Sequence, residues 1–324
     1  MSFFFNDGCI NGGDYAADLN SQRLNEIFRL FYSVADYSMI PGAMLTGFDV
    51  GVYFYFASQV KGIGAIVDAG CLVGGTTTAI NLGLDNNGNI EAEAAKIQVF
   101  DLFDTCGDEF NAFFLGTKYP EDFPSGSTRF RHIFEKNLAR YLHRLQIHEG
   151  DIMRTGKFPE PIEFLGLDCC KSLEITDYVV RNFFEALIAG KSVVIHQDYI
   201  HEWLPFIHIS MELLSEYFVP LVEGDGGGAY VWQCARQITS QDIKAALGEN
   251  HSWYNDYVRN DRLLAAKQAS LIFPGNRAML GYVRARYFDT LDMLPHARAI
   301  ALETRSQYPE YPVPHEYFQQ RYLD

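Results

Sequence analysis

Five short apolar runs recur along the chain, each closing in an acidic residue: GIGAIVD, KIQVFD, RLQIHEGD, IEFLGLD and KSVVIHQD. Between them lie amphipathic stretches at helical spacing, such as FRHIFEKNLARYL and ITDYVVRNFFEALIAG. Strands separated by helices predict parallel βαβ units. The acids then fall at the carboxyl edge of the sheet, where open parallel sheets bind ligands. FVPLVEGDGGGAYVWQC follows, two apolar runs joined by a glycine-rich loop, and predicts an antiparallel hairpin. Ahead of the first strand, Leu24, Ile27, Phe28 and Phe31 keep helical spacing up to a break at Pro41-Gly42, and the pattern resumes through VGVYFYFASQV. After Ile238 the chain reads as helical, charged and rich in Tyr and Arg, with no repeat at a fixed period. The expected organisation is an N-terminal helical segment (1–60), an α/β domain (61–236) and a C-terminal helical extension (237–324).

Composition narrows the function classes. The chain has 324 residues, 48% of them hydrophobic, enough for a sizeable core. With 41 acidic against 26 basic residues the net charge is −15, which disfavours nucleic acid and anionic membrane surfaces as partners. The six cysteines, Cys9, Cys71, Cys106, Cys169, Cys170 and Cys234, form neither a zinc-type pair of pairs nor a disulfide framework, and read as reduced thiols. The opening MSFFFNDGC lacks the basic region of a signal peptide, and no later run reaches the length of a bilayer span. A soluble cytoplasmic protein is expected, with the C-terminal helices packing on the core, covering the site or building a homo-oligomer interface.

The first strand runs into Asp68-Ala-Gly70-Cys-Leu-Val-Gly74-Gly75-Thr76. Glycines there permit positive φ and close approach of a ligand to the backbone. The spacing differs from the G-x-G-x-x-G of nicotinamide dinucleotide sites, which ranks an oxidoreductase lowest. The turn resembles the first motif of class I S-adenosylmethionine-dependent methyltransferases, an acid, any residue, Gly, a short loop and another Gly. That resemblance implies a Rossmann-like α/β fold, a mostly parallel sheet closed by an antiparallel hairpin. It also implies that Asp68, Gly70, Gly74, Gly75 and Thr76 wrap the methionine side of S-adenosylmethionine, with Asp101 on the ribose hydroxyls and Asp151 near the adenine.

VFDLFD, followed by FLGLDCCKSLEITDYVVRNFFEALIAGKSVVIHQDY, resembles the macrocin O-methyltransferase family over roughly residues 40–235. The family's paired acids hold a divalent cation and supply a base. Here Asp168 and Asp198 remain, while Cys170 and Gln197 replace their partners, so Mg²⁺ at Asp168 and Asp198 is weakened: thiols are poor ligands for a hard cation. In the metal's absence, Asp168, His196 and His201 are the candidate catalytic groups, imidazole being suited to take a proton near neutral pH. Tyr199 and Trp203 are candidates for contact with a small-molecule acceptor. The expected reaction is methyl transfer to a hydroxyl. The alternatives are a non-methylating elimination or cyclisation on the same fold, and an assembly protein with a vestigial nucleoside pocket.

Overall fold

The structure, a computed structural model, describes residues 12–323 except 43, 90, 92–94 and 227. The opening MSFFFNDGC with Cys9, part of the polar insert after Asp85, and Gly227 of the hairpin loop lie outside the described residues.

The apolar runs form strands β1 (Ala65–Ala69), β2 (Ile97–Asp101), β3 (Leu145–Glu149), β4 (Ile162–Leu167) and β5 (Val193–His196), and the hairpin forms β6 (Phe218–Glu223) and β7 (Tyr230–Cys234). Their order in the seven-stranded sheet is β3-β2-β1-β4-β5-β7-β6. β1 to β5 are parallel, and β7 runs antiparallel to both of its neighbours. This is a Rossmann-like sheet with the expected antiparallel finish. The strand order reverses between β1 and β4, the position at which such sheets open a crevice at their carboxyl edge.

Register aligns that edge. His148, Phe100, Ala69, Leu167 and His196 stand opposite one another across β3-β2-β1-β4-β5. The next residue on each strand therefore forms a second row: Glu149, Asp101, Gly70, Asp168 and Gln197. Three acids and an amide flank one glycine, because each apolar run stops at the same height.

Helices cover both faces. On one face lie α1 (Gly12–Val34), α2 (Gly47–Ala57) and α3 (Gly75–Asp85). A capping box starts α2, in which Thr46 Oγ1 accepts from Asp49 N at 3.2 Å and Asp49 Oδ2 accepts from Thr46 N at 2.7 Å. Two short helices follow β2, α4 (Glu109–Lys118) and α5 (Arg131–Asn137). On the opposite face pack α6 (Leu173–Phe183) and α7 (Pro205–Leu213). The C-terminal part adds α8 (Ser240–Leu247), α9 (Tyr257–Ser270), α10 (Pro274–Thr290) and α11 (Leu294–Gln307). Leu264, Tyr282 and Val283 of these helices belong to the same apolar core as Leu165, Val180 and Trp232. Among the described residues no helix is long and apolar enough to cross a membrane.

α1 and the start of α10 are both tied to the outer strand through buried Glu223. Its backbone exchanges hydrogen bonds with the Asn20 side chain of α1, at 2.8 and 2.9 Å. Its carboxylate accepts from Ile272 N (2.9 Å), Phe273 N (3.1 Å) and Asn276 Nδ2 (2.8 Å) at the start of α10. Nearby, the Lys267 ammonium of α9 lies over the rings of Tyr230 (4.3 Å) and Tyr199 (5.4 Å).

Candidate functional site

The carboxyl edge opens into a cavity of about 770 Å³, within the usual range for a small-molecule site. Gly70 and Leu72 follow β1 at its floor, Asp101 and Leu102 come from β2, and Asp151 follows β3. Asp168, Cys169 and Lys171 follow β4, while Gln197, Asp198 and His201 follow β5. Thr46 and Asp49 of α2 and Phe110 of α4 close the sides.

The glycine turn divides into two parts. Gly70 has φ +94°, and a β-carbon there would lie 2.6 Å from the Asp168 carbonyl carbon and 2.7 Å from Cys169 N. Its bare backbone both faces the cavity and lets β1 pass against the exit of β4. Gly74 has φ +95° and starts α3, where a β-carbon would crowd Leu138 at 3.1 Å. Gly74, Gly75 and Thr76 do not line the cavity. Nor does Asp68, which is 1% exposed and accepts from the hydroxyls of Thr76 (2.9 Å) and Thr77 (2.5 Å), pinning the first turn of α3 under the strand. In the structure these four residues build the framework of the turn.

Burial pushes the Asp68 carboxyl up to about 6, against the opposing pull of the two hydroxyls. The folded protein therefore holds this proton more tightly than the unfolded chain. As pH rises from about 4 to 7, the unfolded state gives up the proton first and the stability contribution of Asp68 falls. Urea unfolding across that range is expected to show wild type losing about 2–3 kcal/mol relative to Asp68→Asn. Parallel pH profiles for the two proteins would remove this account.

Asp101 does line the cavity and also organises its floor. One oxygen accepts from Leu72 N at 2.9 Å and the other from Phe103 N at 2.8 Å. Leu72 and Phe103 both have φ of +49°, an uncommon backbone for such residues. Burial raises the Asp101 pKa, while the N–H groups of Phe103 and Leu72 draw it back. The Cys71 thiol also donates to Oδ2, at 3.8 Å, so Oδ1 is the oxygen that keeps a lone pair for a ligand. Asp151 caps the short 3₁₀ turn Ile152–Arg154, accepting from Met153 N at 2.9 Å, and stands at the cavity wall.

At the other end, Asp168 and Asp198 share one cation that pattern reading overlooked. Lys171 Nζ lies 2.6 Å from Asp168 Oδ1 and also donates to Asp198 Oδ2. Burial raises the Asp168 pKa, and Lys171 opposes the rise. Burial disfavours the Lys171 charge, but the two carboxylates outweigh it and hold its pKa above the ordinary lysine value. The only sign of this in the sequence was a lysine three residues past the strand-end acid, in LDCCK. Asp49 was also missed: it lies inside the apolar helical stretch ahead of the first strand, away from any strand end. It caps α2, accepts from Ala229 N at 3.1 Å and lines the cavity. Gln197 is 5% exposed, and among the described residues its Oε1 has no hydrogen-bond partner.

Cys170 is buried beside His196 rather than at the cavity. Among the described residues no group of three or more His, Cys, Asp or Glu side chains is placed to hold a metal ion. His196 is 2% exposed and outside the cavity wall. It is the last residue of β5, and alternation along the strand sends it and Gln197 to opposite faces of the sheet. His201 lines the cavity, with Nδ1 accepting from Trp203 N at 3.4 Å. Tyr199 is buried against His208 and Trp232, and its hydroxyl donates to Glu212 at 3.1 Å. Trp203 packs on Tyr317 and Phe318 near the C-terminus. His196, Tyr199 and Trp203 thus sit in packed surroundings, apart from the residues that line the cavity.

No protein-family model matches the sequence. No curated protein matches it either. Solved structures similar to the chain include the O-methyltransferase from Bacillus cereus in complex with SAH, at 14% identity, covering 68% of this chain and 94% of that one with a TM-score of 0.39. An SAH-bound methyltransferase from Podospora anserina matches at 12% identity over 73% of this chain and 100% of its own, with a TM-score of 0.38. The O-methyltransferase NovP matches at 14% identity over 67% of this chain and 100% of its own, with a TM-score of 0.40.

Proposed function

We propose that the chain is an S-adenosylmethionine-dependent methyltransferase acting on a small-molecule acceptor, with a hydroxyl oxygen as the methyl acceptor. The observation that carries this reading is the aligned carboxyl edge: Asp101, Gly70 and Asp168 stand side by side at the strand-order reversal, and all three open onto one cavity. Asp101 Oδ1 has a lone pair to accept from a ribose hydroxyl, Asp151 stands beside it for the adenine, and the bare backbone at Gly70 leaves room for the methionine side. When bound, the cofactor supplies an activated methyl group, so the protein's task is chiefly alignment. His201, in the wall beside Asp198, takes the proton from the acceptor hydroxyl. Phe110 and Leu102 supply apolar surface at the side of the cavity, against which an acceptor's body can shed water. The likeness of LDCCK and HQDY to the macrocin O-methyltransferase strand ends favours oxygen over nitrogen or carbon.

Calorimetric titration of ligand-stripped protein with S-adenosylmethionine and S-adenosylhomocysteine is expected to give saturable binding, and mass analysis of an acceptor panel to give a product heavier by one methyl. Absence of binding by either compound removes the proposal. With an acceptor in hand, His201→Gln is expected to lower kcat about 100-fold while leaving cofactor affinity unchanged. A kcat within about threefold of wild type would reassign the base.

A further inference from the structure

Resemblance to the macrocin family implies a divalent cation between the acids that end β4 and β5, and the residues present can be tested against it. The oxygen donors that line the cavity at that end are the carboxylates of Asp168 and Asp198 and the Gln197 side chain, whose Oε1 has no partner among the described residues. A hard cation such as Mg²⁺ takes an octahedral shell of oxygens at 2.0–2.1 Å, commonly one or two carboxylates with waters, so what decides is whether the carboxylates are free to bind it. The thiol at the position of a further acid, Cys170, is 2% exposed and lies behind the cavity wall. The two carboxylates are already bridged by the Lys171 ammonium, 2.6 Å from Asp168 and paired with Asp198. A divalent ion on the same oxygens would meet that ammonium at contact distance. The donor set does not fit a resident metal.

We propose that Lys171 is the built-in cation of the acceptor end of the cavity, its ammonium doing for Asp168 and Asp198 what a divalent ion does where such acids bind metal. The local chain supports that placement. Lys171 follows Asp168 by three residues, in a turn closed by Lys171 N donating to Cys169 O at 2.8 Å, and Ser172 then caps α6 by accepting from Ile175 N. The ammonium is thus carried by the same loop as one of its carboxylates and requires no loading from solution. Two of its three N–H groups are committed to Asp168 and Asp198, leaving one for an acceptor oxygen. For its catalytic meaning this inference rests on the methyltransferase reading. The test below involves no turnover and no cofactor, so its failure and the failure of cofactor binding are separate results.

The probe is Mn²⁺ alone, followed by loss of the free-ion electron paramagnetic resonance signal as each protein is titrated. Wild type is expected to take up no Mn²⁺ up to about 1 mM, the weak end of protein cation sites. Lys171→Met uncovers the two carboxylates and is expected to bind Mn²⁺ at least about tenfold more tightly than wild type. Lys171→Arg keeps the charge and is expected to behave as wild type. Circular dichroism establishes that each variant is folded, and Lys171→Gln replaces the Met variant should that one fail to fold. Wild-type uptake below about 0.1 mM that Asp168→Asn abolishes would overturn the proposal. So would a folded Lys171→Met or Lys171→Gln protein with no gain in Mn²⁺ affinity.

Discussion

Gly70→Ala is expected to destabilise the protein by about 3–5 kcal/mol, lowering Tm by about 4–7 °C, and to collapse ligand binding in the cavity. Two costs combine at this residue. Its φ of +94° is strained for any residue with a β-carbon. The added carbon would also lie 2.6–2.8 Å from three backbone atoms of Asp168 and Cys169, which no side-chain rotation can clear. Relief requires β1 to part from the exit of β4, and that exit carries Asp168 and Lys171. Gly150→Ala is the matching control: Gly150 has φ +122°, but a β-carbon there would meet nothing within 4 Å. That variant is expected to lose about 1–2 kcal/mol, from backbone strain alone. Differential scanning calorimetry of the two variants separates strain from collision. Equal melting temperatures would show that β4 yields and that the close approach is not a constraint.

The second large effect is expected at Asp101. In Asp101→Ala, cofactor affinity should fall at least about 100-fold, with a loss of about 2–3 kcal/mol in stability. The carboxylate is the partner of Leu72 N and Phe103 N, and both residues have a positive φ that the alanine variant leaves without its hydrogen bond. Removal therefore takes away a ligand-facing acceptor and also loosens the floor on which the ligand rests. Asp101→Asn keeps one acceptor oxygen and should fall between the two. Titration with S-adenosylhomocysteine reads the affinity and urea unfolding reads the stability. An alanine variant that binds within about threefold of wild type would move the ribose site away from β2.

Much of the carboxyl edge was legible because a strand that ends in an acid leaves a visible mark in one-dimensional sequence. Period and apolar run length place Asp101 and Asp168 at strand ends and Asp198 just past one, and parallel register brings Asp101, Asp168 and Gln197 level. Direction within an end was not legible. His196 and Gln197 are neighbours with opposite faces, and the face that meets the cavity depends on where β5 stops against β4. Tyr199 looked like a wall residue because it follows a strand end, but the turn carries it back into the core against Trp232. Asp68 matched a ligand motif while serving the hydroxyls of Thr76 and Thr77. The Lys171 bridge joins two loops 27 residues apart, a separation at which sequence spacing carries no signal. The same holds for Asn20 and Glu223, which no local pattern connects.

The attachment of α1 also sets an order on assembly. Asn20 and Glu223 are 203 residues apart, and Asn276 follows 53 residues after Glu223. At about 5–20 residues per second, a ribosome makes the Asn20 side chain roughly 10–40 s before its partner strand exists. α1 must spend that interval with its apolar face unmatched by β6, open to chaperones and to other nascent chains. The outer strand is finished only when the start of α10 has also been made, 53 residues after Glu223, so the tie that joins α1, β6 and α10 forms late in the order of synthesis.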